Sequence, residues 1–332
     1  MANDTVTNRA RGREQWRPAS ETGGEGLVTT GLGRARRWLL AGCVLALLFA
    51  TPIVLVLQNQ APLRATLVGA AGGTSASPVA PATSPAPRTG LAQAAVAGAQ
   101  GAADPDTQLA VAVYDRVTGE TATGKRGQEP YYTASLAKVV LAVDMMDRRR
   151  LAGLELSAGD LTLLRRALSA SDDSAMNALW AKFDGQGAAA RVSQRLQLSG
   201  TSAPDDPTQW GEMSVPASDF VRIWRYILDE LPGADRDLLV SDMAAAPATA
   251  NDGFNQAFGL LAPAVKEPTG AVAKQGWMCC FSAQYYLHSA GIVGPDDRFL
   301  VVLLTRQPRT VGWDGARRQL NDIATAATQP LE

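Results

Sequence analysis

The spacing of apolar and polar positions divides the chain unevenly. Residues 38–57, "WLLAGCVLALLFATPIVLVL", run for 20 positions without a charge. A helix of that length spans ~30 Å, the thickness of a bilayer core. Beyond residue 105 the pattern becomes that of a folded domain. "QLAVAVYDRVTGETATG" predicts two strands joined by a turn at Arg116–Gly119. A helix is expected from about Ser135 to Arg150, with helical periodicity again around 159–169, 174–183, 186–197 and 216–230. Late in the chain "AKQGWMCC", "AQYYLHSAGIVG" and "RFLVVLLT" predict three strands, with "PDD" at 295–297 turning between the last two. "GWDGARRQLNDIATAAT" predicts a closing helix. Strands at both ends with helices between them imply one α+β domain whose terminal strands share an antiparallel sheet.

Charge and composition orient these parts. The 37 residues before the apolar run hold seven arginines (Arg9, Arg11, Arg13, Arg17, Arg34, Arg36 and Arg37) against Asp4, Glu14, Glu21 and Glu25. The positive-inside rule then places residues 1–37 in the cytoplasm, 38–57 across the membrane as a single-pass signal anchor, and the rest outside. Residues 58–104 are rich in Ala, Gly, Pro, Ser and Thr, and read as a disordered linker with a reach of about 35–40 Å. The domain is expected over 105–330. Two other readings of the N-terminal region stay open. A cleaved signal peptide has a shorter apolar region nearer the start. "LAGC" at Leu40–Cys43 is also a lipoprotein box, with Cys43 as the residue that would carry the lipid.

Hydrophobic residues are 46% of the chain, enough for a sizeable core, and the net charge of -1 gives no electrostatic basis for binding nucleic acid. Three cysteines and one histidine, His288, lack the ligand spacing of a zinc site. A structural hydrogen bond is the expected role of His288, since no G-x-S-x-G elbow accompanies it. Adjacent Cys279 and Cys280 point to opposite faces of a strand. They are either a packed thiol and an exposed one, or a vicinal disulfide.

Lys138 is the misfit in the apolar run from Leu136 to Val143. Such a helix is buried, and a buried, unpaired ammonium is costly. One reading has the side chain snorkel to solvent. The other uses the i, i+3 spacing to Ser135, which puts amine and hydroxyl on one helix face. Burial penalises the charged form, and a neutral amine beside a serine is a general base.

Two further stretches bear on that choice. "SASDDSAMNALW" places Ser171-Asp172-Asp173 before a helix, and "VAKQGW" places Lys274-Gln275-Gly276 on a strand. With Ser135-x-x-Lys138, and in this order, they resemble the S-x-x-K, S-D-N and K-T-G motifs of the class A β-lactamases and penicillin-binding proteins. The resemblance covers about residues 106–328. It implies a β-lactamase/transpeptidase-like fold and an acyl-serine mechanism that uses no cofactor. By the same resemblance Ser135 is the nucleophile and Lys138 its base. Ser171 passes a proton to the leaving nitrogen, and Lys274 holds the substrate carboxylate. The backbone N–H groups of Ser135 and Trp277 form the oxyanion hole, and Asp173, Gln275, Gly276 and Trp277 line the substrate.

The departures from the family pattern are specific. Asp173 stands where the family has asparagine, and it would favour a charged Lys138. Gln275 replaces threonine. The interval "LSGTSAPDDPTQWGEMSVPASDF" lacks the E-x-x-x-N pattern of the Ω-loop that activates the deacylating water, leaving Asp205, Asp206 and Glu212 as the carboxylates available before the next helix begins. The expected protein is thus a membrane-anchored extracytoplasmic serine hydrolase or acyltransferase with slow deacylation. Its partners would be β-lactams or peptidoglycan stem peptides. The rival is an attenuated domain that binds cell-wall peptide or a protein without turnover.

Overall fold

The computed structural model describes residues 87–332. The expected tail, the expected membrane helix and the linker up to residue 86 lie outside the described residues. No helix among the described residues is long and apolar enough to cross a membrane.

In chain order the elements are α1 (Leu91–Ala102), β1 (Gln108–Asp115), β2 (Thr121–Thr123), β3 (Tyr131–Tyr132), α2 (Ala137–Ala152), α3 (Ala158–Ser169), α4 (Asp173–Lys182) and α5 (Gly185–Leu196). They continue as β4 (Ser214–Val215), α6 (Ala217–Arg225), α7 (Gly233–Ala244), α8 (Pro263–Thr269), β5 (Val272–Phe281), β6 (Gln284–Val293), β7 (Phe299–Pro308) and α9 (Gly312–Thr328). Five strands form one sheet in the order β2-β1-β7-β6-β5, with every neighbouring pair antiparallel. β3 and β4 form a separate two-stranded ribbon.

The near-continuous apolar runs of β1 and β7 follow from burial of both sheet faces. Ala110, Ala112, Leu300, Val302 and Leu304 face a core that includes α2–α6. Val111, Val113, Val301 and Leu303 face a second core that includes α1, α8 and α9. The sheet therefore separates two helical layers, and its edge strand β5 carries the third motif.

The N-terminal boundary corrects the sequence expectation. The linker was expected to reach residue 104, but Leu91–Ala102 is a helix that packs on α9 and β1. Leu91, Ala92, Ala95, Val96 and Ala99 make its buried face. Alanine suits both a flexible linker and a helix interior, and the contact with α9 decides between them. Gly98 permits that contact, because a Cβ there would strike the Ala326 carbonyl oxygen. The interval 231–271, for which no element was expected, contains α7 and α8.

Candidate active site

Ser135 sits where a strand hands over to a helix. β3 ends at Tyr132, and the Thr133 N–H donates to the Met213 carbonyl at 2.7 Å. Ala134 takes φ 46°, a left-handed conformation that costs free energy in a residue with a Cβ and is found at functional turns. A short helical turn, Ala134–Leu136, then leads into α2. His288 braces this approach. Its Nδ1 accepts the Thr305 N–H at 3.2 Å, so Nε2 carries the proton and donates to the Tyr132 carbonyl at 2.8 Å. Burial lowers its pKa to about 4, which makes it a neutral structural histidine, as the sequence implied.

Lys138 does not snorkel. Its side chain has 0% exposure, and its Nζ lies 2.6 Å from Ser135 Oγ. The same Nζ donates to Asp173 Oδ1 at 2.7 Å and to the Ser171 carbonyl at 3.1 Å, with Ser171 Oγ at 3.4 Å. The loop between α3 and α4 presents Ser171 at φ 54°, again left-handed. Asp172 caps α4 by accepting the Ala175 N–H at 3.0 Å, and Asp173 opens the helix facing Lys138. Helix capping and contact with Lys138 therefore coexist in one tripeptide.

From β5, Lys274 Nζ reaches Ser171 Oγ at 2.9 Å. Gly276 lets the strand press against the turn that carries Ser135, since a Cβ there would lie 2.9 Å from the Thr133 carbonyl oxygen. Two buried amines thus flank one serine hydroxyl. Burial holds Lys138 below the ordinary lysine value, and Asp173 pulls it back up. Lys274 is pushed well below that value, by burial first and then by the charge on Lys138. The carboxylate on Lys138 gives that amine the stronger hold on a shared proton.

No family model matches the chain. "Putative lipoprotein LppW" of Mycobacterium tuberculosis and of Mycobacterium bovis is 33% identical over 203 residues, which cover 60% of this chain and 63% of those proteins. The match thus spans less than two thirds of the length of these curated relatives. Among solved structures, a β-lactamase from Chitinophaga pinensis aligns with a TM-score of 0.60 at 15% identity, covering 74% of this chain and 100% of that one. A β-lactamase from Streptosporangium roseum aligns at 0.55 and 17%, covering 71% and 98%. The W229D mutant of an ancestral class A β-lactamase of Gram-negative bacteria aligns at 0.55 and 18%, covering 73% and 98%. The fold is β-lactamase-like.

Within the β-lactamase-like frame, Ser135, Lys138, Ser171, Asp173 and Lys274 converge, and Gly276 and Trp277 lie beside them on β5. Gln275 departs from its expected role. Its side chain is buried, its amide donates to the Phe258 carbonyl, and its Oε1 has no partner. Strand alternation turns its side chain to the face opposite Lys274. Cys279 and Cys280 are joined as a vicinal disulfide, the second of the two states the sequence left open.

Two groups at the site were not anticipated. Asp252 accepts the Trp277 Nε1–H at 3.1 Å, and its charge raises the pKa of both Lys138 and Lys274. Trp210 lies over Lys138, with the ring centroid 4.4 Å from Nζ. The Asn251-Asp252-Gly253 turn carries a sequence signal, because Asp-Gly marks a turn. That signal speaks for a turn and not for what the turn approaches.

Proposed function

We propose that this domain is a serine hydrolase or acyltransferase of β-lactamase-like type, acting on β-lactams or peptidoglycan stem peptides through an acyl-serine intermediate. The observation that carries the reading is the 2.6 Å contact between Lys138 Nζ and Ser135 Oγ, inside a site where Ser171 and Lys274 stand within hydrogen-bond reach of one another. Nucleophile and base within that distance is the arrangement activation requires.

In the forward step Ser135 Oγ bonds to the substrate carbonyl carbon while its proton moves to Lys138 Nζ. The backbone N–H groups of Ser135 and Trp277 receive the oxyanion. Ser171 Oγ gives its proton to the nitrogen as the C–N bond breaks, and is resupplied from Lys138, 3.4 Å away. Lys274 pairs with the substrate carboxylate. The test is a fluorescent penicillin or a fluorophosphonate added to the soluble domain. A covalent adduct on Ser135 that Ser135→Ala abolishes is the expected result, and its absence at high probe concentration sinks the reading. One observation favours the rival, a domain that binds cell-wall peptide or a protein without turnover: Asp173 stabilises the protonated form of the very amine that must act as base. The same labelling experiment decides between them.

Membrane attachment belongs to this proposal. The apolar run at 38–57 and the arginines before it support an N-terminal anchor with the domain outside, and the lipoprotein name of the relatives supports attachment by either anchor or lipid at Cys43. Protease added to intact cells is expected to remove the domain and leave a small N-terminal stub. A protected domain would overturn this topology.

A further inference from the structure

The loop between α5 and β4 ends in a short helical turn, Trp210–Glu212. This turn is tied to the nucleophile segment by the Thr133–Met213 backbone bond at 2.7 Å. It also packs there: a Cβ on Gly211 would lie 3.6 Å from Ala134 Cα, ordinary van der Waals contact. The Trp210 indole is anchored by its edge, with Nε1 donating to Asn177 Oδ1 on α4 at 2.7 Å. Its face is thereby presented to Lys138 Nζ at 4.4 Å.

Two physical effects follow from that placement. A cation over an indole face is attracted by the ring quadrupole, and more strongly when both are out of water. An apolar face also offers no hydrogen bond to a water, which needs several polar partners to stay in place. Hydrolysis of an acyl-serine requires a water oxygen to attack the ester carbonyl, its proton to pass to a base, and Ser135 Oγ to leave with a proton. A protonated Lys138 cannot take the first of those protons.

We propose that Trp210 is a positioning residue that retains the acyl group on Ser135, by covering the side from which water would approach and by holding Lys138 in its protonated form. The inference rests on the acyl-serine reading above. Trp210 acts through Lys138 and excluded water and makes no bond with the substrate.

The experiment compares penicillin adducts on the soluble domain carrying Trp210→Ala, Trp210→Phe or Trp210→Leu with those on the unaltered chain, following adduct mass after dilution across a range of pH. Trp210→Ala is expected to shorten adduct lifetime about tenfold or more, as the freed amine gains access to water. The pH midpoint of adduct loss is read on Trp210→Leu, where Lys138 stays buried and only the ring's attraction for the ammonium is lost. Trp210→Phe keeps a ring face and is expected to recover the long lifetime. Trp210→Leu keeps apolar volume and removes the quadrupole, so it reports on charge alone if the alanine variant does not fold: a lowered midpoint supports the proposal and an unmoved one overturns it. An adduct that forms on Trp210→Ala and persists as on the unaltered chain overturns the role of Trp210 and leaves the acyl-serine reading standing. No adduct on the unaltered chain overturns both.

Discussion

Penicillin in excess is expected to leave Ser135 acylated for many minutes after dilution. Turnover needs two chemical steps, each with a base near the right oxygen. Acylation has Lys138, 2.6 Å from the hydroxyl. Deacylation needs a carboxylate aimed at a water beside the acyl carbonyl. The loop at 197–213 turns an indole toward Lys138 instead, while Asp205 is exposed and Asp206 accepts the Thr208 hydroxyl at 2.7 Å. A missing general base typically forfeits ~10²–10⁴-fold in rate. Mass spectrometry should therefore show the mass increase persisting, with little free hydrolysed drug. Rapid adduct loss with steady release of hydrolysed drug would refute this, and Asp205, Asp206 and Glu212 would then be the first residues to mutate in search of the base.

Asp173→Asn is expected to accelerate adduct formation at neutral pH by about tenfold or more, because losing the carboxylate lowers the pKa of the base. The ion pair at 2.7 Å joins a fully buried ammonium to a carboxylate with 36% side-chain exposure, so solvent screens one partner and not the other. Asparagine removes the charge that raises the Lys138 pKa and supplies an amide in its place. The sign is fixed by the role of the amine. Acylation needs its free form, so a lower pKa moves the rising limb of the pH–rate profile to lower pH. Stopped-flow labelling with a chromogenic cephalosporin or fluorescent penicillin reads both effects. Equal or slower labelling would make Asp173 a structural or substrate-contacting group.

Much of the fold was legible because its signals are local. The closing helix at 312–328, the turn at Arg116–Gly119 and the three late strands each announce themselves through periodicity or turn residues within a few positions, and the structure places elements there. The Ser135–Lys138 pair was legible for the same reason, since i, i+3 spacing on a helix is fixed by backbone geometry. Arrival of Ser171 and Lys274 at that pair could be expected only through resemblance to known proteins.

What stayed hidden depends on partners distant in sequence. Leu91–Ala102 has a linker's composition, and only its docking against α9, permitted by Gly98, makes it part of the domain. Nothing within a few residues of Gln275 shows that its amide is committed to Phe258. Trp210 lies 72 positions from Lys138 in the numbering, yet their contact depends on where one loop closes over another helix. By itself the sequence determined most of the elements, the α+β class and the i, i+3 placement of Ser135 and Lys138, because short-range geometry sets those. The tertiary structure alone decided that Lys274 is pushed well below the ordinary lysine value while Asp173 pulls Lys138 back up, and that the Trp210 face lies over Lys138. Both depend on burial and on charges that folding brings together, Asp173, Asp252 and Lys274 around Lys138.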